Sequence, residues 1–593
     1  MNKIYIIVFC LALVQACTDP FELTRNDIIQ EDLVFEDENL SNAFLADLYS
    51  DALFQYTSGQ SNFNMNLINA MGGESRNFAP WQAPFGQVIG PIFNETGAGV
   101  ISYWPYDHIR QCNIFIEKLG ESSLDPEFVE VRVAEAKFIR AHAYFEMVKR
   151  YGGVPIVTEA LPIDATQDQL FVSRNSEKEV YDFIGSEMDA IAAVLPGIAD
   201  DDGRVTKWAA LAMKSRAMLY AASVAQFGNV QLDGLLGFPA SEAQSYYQKS
   251  LAASKEVLDD GPFTLYRKQE DKVQNFTDLF IDEAGNPEVI LAEKWDAVAG
   301  KGHDWDLTAH PDGYGFSWNS NYPVYLEKLE LFDFMDGSSG KVDRALYDDA
   351  TPVDPEWFFG QRDPRMRASI SYPGMIWRGQ TAFYHRSTDY TDPTDGEVKR
   401  STDNSFIIPG SDGWRGAGPR RNINAAVTSL QIRKRLDENL PATGTNLSST
   451  DFHIFRLAEI MLNYIEAAYY LGDPNGDMAT YLNDEIRDRA GMPAIPKGEI
   501  TEDRIRQERQ VELAFEQHVF WDLRRWRIAV EELDNKEKTR MHFRYNYDTK
   551  MYTIETAPGD RGNVRSHTER NYYYALGLGI ISDNPNLIEN PGY

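Results

Sequence analysis

Two stretches of this 593-residue chain interleave aromatic rings with amide, carboxylate and guanidinium groups. The first is Glu74-Ser75-Arg76-Asn77-Phe78-Ala79-Pro80-Trp81-Gln82. The second runs from Trp295 to Tyr322 and contains His303-Asp304-Trp305-Asp306 and Tyr314-Gly315-Phe316-Ser317-Trp318-Asn319-Ser320-Asn321-Tyr322. It holds six of the chain's Phe, Trp and Tyr residues in 28 positions, where the 12% average would place about three. Residues of these types suit a pyranose. The weakly apolar C–H face of the sugar stacks on an indole or phenol ring, and its hydroxyls are then fixed by hydrogen bonds. The expected stacking residues are Trp81, Trp305 and Trp318, with Tyr314 a fourth, and the expected polar partners are Arg76, Asn77, Asp306 and Asn319. Each ring could equally plug its loop onto a scaffold, and Trp357, Trp377 and Trp414 are further loop tryptophans able to serve.

Bond-making chemistry is poorly supported. There is no His-Glu-x-x-His zinc motif, no Gly-x-Ser-x-Gly elbow and no phosphate-binding Gly-rich loop. Paired carboxylates for glycoside hydrolysis remain open in a chain with 90 acids, but nothing marks Glu293 with Asp296, or Asp304 with Asp306, as such a pair. Asp473-Pro474-Asn475-Gly476-Asp477 begins like a calcium loop. Met478 then stands where glycine is needed and Asp484 where the final glutamate belongs, so a polar turn between helices is expected. Arg509, Glu512 and Glu516 share one helical face and read as a structural ion-pair network rather than catalytic acids. No cofactor and no metal are expected. Arg362, Arg365, Arg367 and Arg378 form a local basic cluster that could favour an anionic ligand against the global charge.

That global charge is −33, from 57 Lys and Arg against 90 Asp and Glu. It excludes nucleic acid as a partner, because phosphate recognition needs a basic footprint. Lys3, the apolar run Ile4 to Val14, and Val14-Gln15-Ala16-Cys17 read as a lipoprotein signal peptide over residues 1–16 with a lipobox. Cleavage before Cys17 would leave its thiol and amine acylated, and several acyl chains make a firm membrane anchor. Of the three cysteines, Cys10 falls in the discarded segment and Cys17 is the lipidation site. Cys112 remains, in an amphipathic stretch where a buried apolar role is expected.

The elements that must position these groups are helical. Residues 17–40 read as a tether and 41–260 as an N-terminal helical part. Asp125 with Pro126 starts a helix striped by Phe128, Val131, Ala134, Phe138, Ala141, Phe145 and Val148, which Gly152-Gly153 ends. Ser176 with Glu179 forms a capping box before the stripe Val180, Ile184, Met188 and Ile191. A third helix spans 206–226 and a fourth opens at Ser241. Residues 261–593 form the C-terminal part. It is loop-rich over 261–450 with a few short strands, then helical at 454–471, 478–490 and about 501–530. Helix starts near 126, 177, 206 and 241 keep no fixed period. The fold class expected is all-α, a tetratricopeptide-like array of helix pairs carrying one long loop-rich insertion.

Several blocks resemble the SusD/RagB family of surface glycan-binding lipoproteins of Bacteroidetes. They are Ala136-Lys-Phe-Ile-Arg140-Ala-His-Ala-Tyr144-Phe145 leading to Tyr151-Gly152-Gly153-Val154-Pro155, Gly203-Arg204 through Tyr220, and Arg456-Leu-Ala-Glu459 through Ala467. Ile486 to Pro493, Glu508 to Trp526, and the terminal Asn584-Pro585-Asn586-Leu587 and Asn590-Pro591-Gly592-Tyr593 complete the set. The resemblance spans nearly the whole chain beyond Cys17. It implies a binding protein, not an enzyme, on the extracellular side of the outer membrane. Such a protein passes oligosaccharide to a SusC-like TonB-dependent transporter. Peptide cargo within the same family, a glycoside hydrolase and a protein-only adaptor are the alternatives.

Overall fold

The computed structural model describes residues 31–52, 54, 65–77, 99–162, 164–311, 320–403, 405–416, 428–440, 444–560 and 564–593. Cys17 and the expected leader lie outside them.

The helix starts follow their local chemistry. Asp125 accepts hydrogen bonds from the backbone of Glu127 and Phe128, and Pro126 fills the first helical position, where no amide donor is needed. Ser176 and Glu179 cap one another reciprocally, as their spacing requires. Among the described residues, six long helices precede the insertion: α1 (Glu38–Asp51), α2 (Tyr106–Gly120), α3 (Pro126–Tyr151), α4 (Glu177–Ala192), α5 (Lys207–Phe227) and α6 (Ala243–Asp260). Each packs against the next, and α7 (Leu457–Leu471) packs on α6, so the array resumes after some 190 residues of insertion. α5 can be enclosed because it is lined with Ala209, Ala210, Ala212, Ala217, Ala221 and Ala222, all buried, which let its neighbours approach closely. At its centre Ser215 and Ser254 hydroxyls meet at 2.8 Å, and Asn463 of α7 donates to Ser215 at 3.0 Å. Trp208 and Trp521 belong to this core. Cys112 lies in a satellite core with Phe35 and Phe115, where burial pushes its thiol up to about 12.

The insertion and C-terminal segments contribute β1 (Val289–Glu293), β2 (Ser387–Thr391), β3 (Val398–Ser401), β4 (Phe452–Arg456), β5 (Thr539–Asn546) and β6 (Met551–Pro558). β1 pairs with β4 antiparallel. The other four form a sheet in the order β6-β5-β2-β3, with β2 and β5 parallel. A second apolar core lies beneath this sheet, around Phe358, Phe359, Ile432, Phe543 and Ile554.

Two expected helices differ. The segment beginning at 454 is strand β4 through Arg456, and helix only from Leu457. Phe452, Ile454 and Phe455 are buried, and the strand partner that captures them lies more than 150 residues away. The expected helix 501–530 is broken into α8 (Glu502–Glu512), α9 (Val519–Arg525) and the short helix Ala529–Leu533. Phe515 and Gln517 take positive φ, 61° and 64°, in the first break. Asn69 and Glu74 hold that turn by accepting the Gln517 and Phe515 amides at 3.0 and 3.1 Å.

The break serves a buried ionic network. Glu512 accepts from Arg456 at 2.7 Å, Arg365 at 2.9 Å and also Arg489, while Glu516 accepts from Arg456 and Lys434 at 2.7 Å each. Arg456 and Arg489 also reach Glu288, so the insertion, β4 and α8 are locked together. The three Arg cations hold Glu512 well below the usual carboxylate range although burial opposes it. Arg509 pairs with Asp522 instead, across the break. The Asp473–Asp477 segment is a turn at the end of α7, held by Tyr464, whose hydroxyl donates to Asp477 and accepts from Asn475. Among the described residues, no cluster of three or more His, Cys, Asp or Glu is arranged for a metal ion.

Candidate functional site

The described ends of the two aromatic-rich stretches are brought side by side. Ser75 forms an antiparallel bridge with Val324, and the Arg76 amide donates to the Pro323 carbonyl at 3.0 Å. On the other edge Val324 donates to Leu430 and Ile432 donates to Tyr322, each at 3.0 Å. Ile370–Ser371 then pairs with Gln431–Ile432. Four chain segments thus lie edge to edge as one small platform. Segments 78–98, 312–319 and 417–427 each leave the described chain within a few residues of it.

Trp81, Tyr314, Trp318 and Asn319 lie in those segments, outside the described residues. The other four candidates are interior, and the chemistry of the platform says why. Arg76, 2% exposed, donates its Nε to the Asn77 carbonyl at 2.9 Å and Nη1 to the Gly559 carbonyl at 2.7 Å. Asn77 is buried beside Asn66, whose amide reaches its Oδ1 at 3.3 Å. Trp305, also 2% exposed, stacks on Tyr322 with ring centroids 5.1 Å apart, and its Nε1 donates to the Lys434 carbonyl at 2.9 Å. Its other neighbour is the Arg435 guanidinium, 5.5 Å from the ring. Trp305 is therefore not a surface platform in this structure. It fastens the short helix Trp305–Ala309 to the 430–436 segment. Asp306 is buried, and its Oδ1 accepts the Asp437 amide at 2.9 Å.

Burial sets the electrostatics here. It pushes the Asp306 carboxyl up to about 6 and Glu293 to about 7, and Asp306 Oδ2 and Glu293 Oε2 are both sealed without a hydrogen-bond partner. Arg435, at φ 67°, is the cation that faces both, and burial lowers it to about 10. His303 is neutral, pushed down to about 3 by burial. Its Nδ1 accepts the Trp305 amide at 3.1 Å and its Nε2 reaches the Thr450 carbonyl at 2.8 Å.

The alternative tryptophans are also engaged. Trp377 is buried, Trp357 stacks on Phe334 and Trp414 stacks on Tyr545 with centroids 4.3 Å apart. The basic cluster does not face a ligand as a unit. Arg362 is spent on the carbonyls of Phe358, Phe332 and Gly340, Arg365 on the Glu512 network, and Arg378 on the carbonyls of Glu438 and Leu440. Sequence reasoning missed the platform members Pro323 to Tyr325 and Leu430 to Ile432, and assigned no role to Tyr322 at the end of the second stretch. Their pairing is between residues sixty or more positions apart and has no local signature. Glu74 was within the first stretch but unassigned. It fixes both the Phe515 turn and Lys328, the latter at 2.7 Å.

Comparison with known proteins supplies the remaining findings. Residues 287–593 match the SusD family, and residues 29–219 match a family described as starch-binding associating with outer membrane. A SusD-like protein, P38, of Formosa agariphila is 24% identical over 446 residues, 72% of each chain. A solved SusD-like protein from Bacteroides fragilis superposes with a TM-score of 0.71 at 22% identity, covering 96% of this chain and 99% of its own. A SusD-like carbohydrate binding protein from the same organism gives 0.68 at 20% identity, covering 94% of this chain and 100% of its own.

Proposed function

The chain belongs to the SusD family, and from that premise we propose that it is a surface lipoprotein that captures an oligosaccharide or polysaccharide without cleaving it. The observation that carries the reading is the Ser75–Val324 bridge with its flanking pairs. It sets the described ends of both stretches on one platform, which supports a reading in which rings supplied by both act on one ligand. The solved relative described as carbohydrate binding supports the ligand class.

Binding is by stacking of sugar faces on Trp81, Tyr314 and Trp318, with Asn319 fixing hydroxyls. Trp305, Asp306, Arg76 and Asn77 act beneath them by holding the stems. Acylated Cys17 anchors the protein in the outer membrane, on the extracellular side, where it hands cargo to a SusC-like TonB-dependent transporter. The experiment is calorimetry of the purified protein against a glycan panel and a peptide panel, with reducing ends assayed in parallel. Binding of one or more glycans with no new reducing ends supports the reading. Peptide binding alone would move the cargo to peptides, and released reducing ends would make the protein a hydrolase.

A further inference from the structure

A cleft of about 490 Å³ opens between the start of α2, the 155–172 segment and the short helix Leu578–Asp583 with the residues after it. It shares no lining residue with the platform. Trp104 and Tyr106 stand side by side in it, ring centroids 5.0 Å apart, and Ile109, Val157, Leu161 and Ile580 extend the apolar walls. The walls are fixed by their own hydrogen bonds. The Tyr106 hydroxyl donates to the Pro155 carbonyl at 2.6 Å, and Asn584 donates to the Val172 carbonyl at 2.8 Å. Trp104 is only half-buried and Leu170 in the lining is 48% exposed, so the apolar surface is open to a ligand. Walls of this kind hold ordered water poorly, because a bound water needs about two to four polar partners. The volume falls within the roughly 300–1,000 Å³ of preformed small-molecule sites.

Three charged groups line the same cleft, Arg110, Glu159 and Asp583. Among the described residues none of the three is in an ion pair, with one another or with any other side chain. Arg110 gives one Nη1 proton to the Leu161 carbonyl and keeps its full charge. Glu159 and Asp583 are exposed. The cleft thus presents an apolar body with unneutralised charges of both signs around it.

That pattern selects the ligand by exclusion. The hydroxyls of a sugar find few partners on aliphatic walls. The carboxylate of a fatty acid meets two groups of its own sign, and a simple amine leaves Arg110 unanswered. An apolar zwitterion answers all three charges and covers the walls. We infer that this cleft binds a zwitterionic apolar dipeptide, with its side chains on Trp104, Tyr106 and the aliphatic walls. Its ammonium is directed to Glu159 and Asp583 and its carboxylate to Arg110. A longer peptide brings only one of its terminal charges into a cleft of this size. The site is independent of the ligand proposed for the platform.

Calorimetric titration of the mature protein with phenylalanyl-leucine, its N-acetyl form and its C-terminal amide tests this directly. The free dipeptide is expected to bind, and each capped form to bind tenfold or more weakly. Glu159→Gln combined with Asp583→Asn removes the loss caused by acetylation and keeps the loss caused by amidation. Arg110→Gln does the reverse. No saturation with the free dipeptide, or equal affinity for the capped forms, overturns the proposal. Discrimination between free and capped forms that is unchanged in the charge variants places the peptide elsewhere, the platform included, and also overturns it. Should Arg110→Gln fail to fold, the two exposed carboxylates decide alone. Failure of every glycan to bind would sink the platform reading and leave these readouts where they stand.

Discussion

Ser75 and Val324 face one another across an antiparallel bridge, although 249 positions separate them in the chain. That pairing makes the described ends of two unrelated aromatic-rich stretches neighbours. The interior residues of those ends are separable by their effect on stability from residues whose role is binding alone.

Trp305→Ala is expected to lower the stability of the protein by about 3–5 kcal/mol, as for a large core ring. Trp305→Phe keeps the stack on Tyr322 but loses the bond from Nε1 to the Lys434 carbonyl, and costs about 1 kcal/mol. Denaturant midpoints measure both. A Trp305→Ala protein as stable as wild type would mean that the ring is a surface group after all.

Glu512 faces Arg365, Arg456 and Arg489 inside the protein. Glu512→Gln leaves those cations without their shared charge and is expected to cost about 3–5 kcal/mol, seen in the same unfolding midpoints. Lys399→Ala removes an exposed pair with Asp392 and Asp395 and leaves the midpoint unchanged. Equal effects of the two substitutions would contradict the locking role given to the network.

Two carboxyls make stability depend on pH in an unusual direction. Glu293 is raised to about 7 and Asp306 to about 6, both by burial. Each therefore holds its proton in the folded protein at pH values where the unfolded chain has lost it. With more protons bound in the folded state, their contribution falls as pH rises from about 4 to 7, and the penalty is complete above that window. Glu293→Gln is expected to flatten the fall and to raise the unfolding midpoint at pH 8. Asp306→Asn does the same over a window one unit lower, since its retained Oδ1 still accepts the Asp437 amide. Variants with the wild-type pH slope would show that neither carboxyl is strained.

Cys17→Ser removes the proposed acylation site. Fractionation of cells carrying the variant is expected to move the protein from the membrane to the soluble fraction, because the proposed anchor rests on buried methylenes. Retention in the outer membrane would assign anchoring to another part of the protein.

Much of the helical array was legible because its signals are local. Asp125 with Pro126 and Ser176 with Glu179 declare helix starts, and Gly152, at φ 73°, declares an end. The strand at Phe452–Arg456 was hidden because its apolar residues fit a helical stripe as well as a buried strand, and β1 decides between them from a distance. The break after Glu512 was hidden for a related reason: Asn69 and Glu74 stabilise it from the other end of the chain. For the site, composition located the two stretches but could not sort Trp305 from Trp81. Both are tryptophans among polar residues, and only the Tyr322 ring and the Lys434 carbonyl distinguish the first.

The central claim is that rings of the two aromatic-rich stretches bind one glycan together. Titration of the wild type, Trp81→Ala and Trp318→Ala with the glycan that the panel identifies tests it most directly. Each variant is expected to fold with an unchanged unfolding midpoint and to lose tenfold or more in affinity, about 1.4 kcal/mol. Wild-type affinity in both variants would contradict the claim.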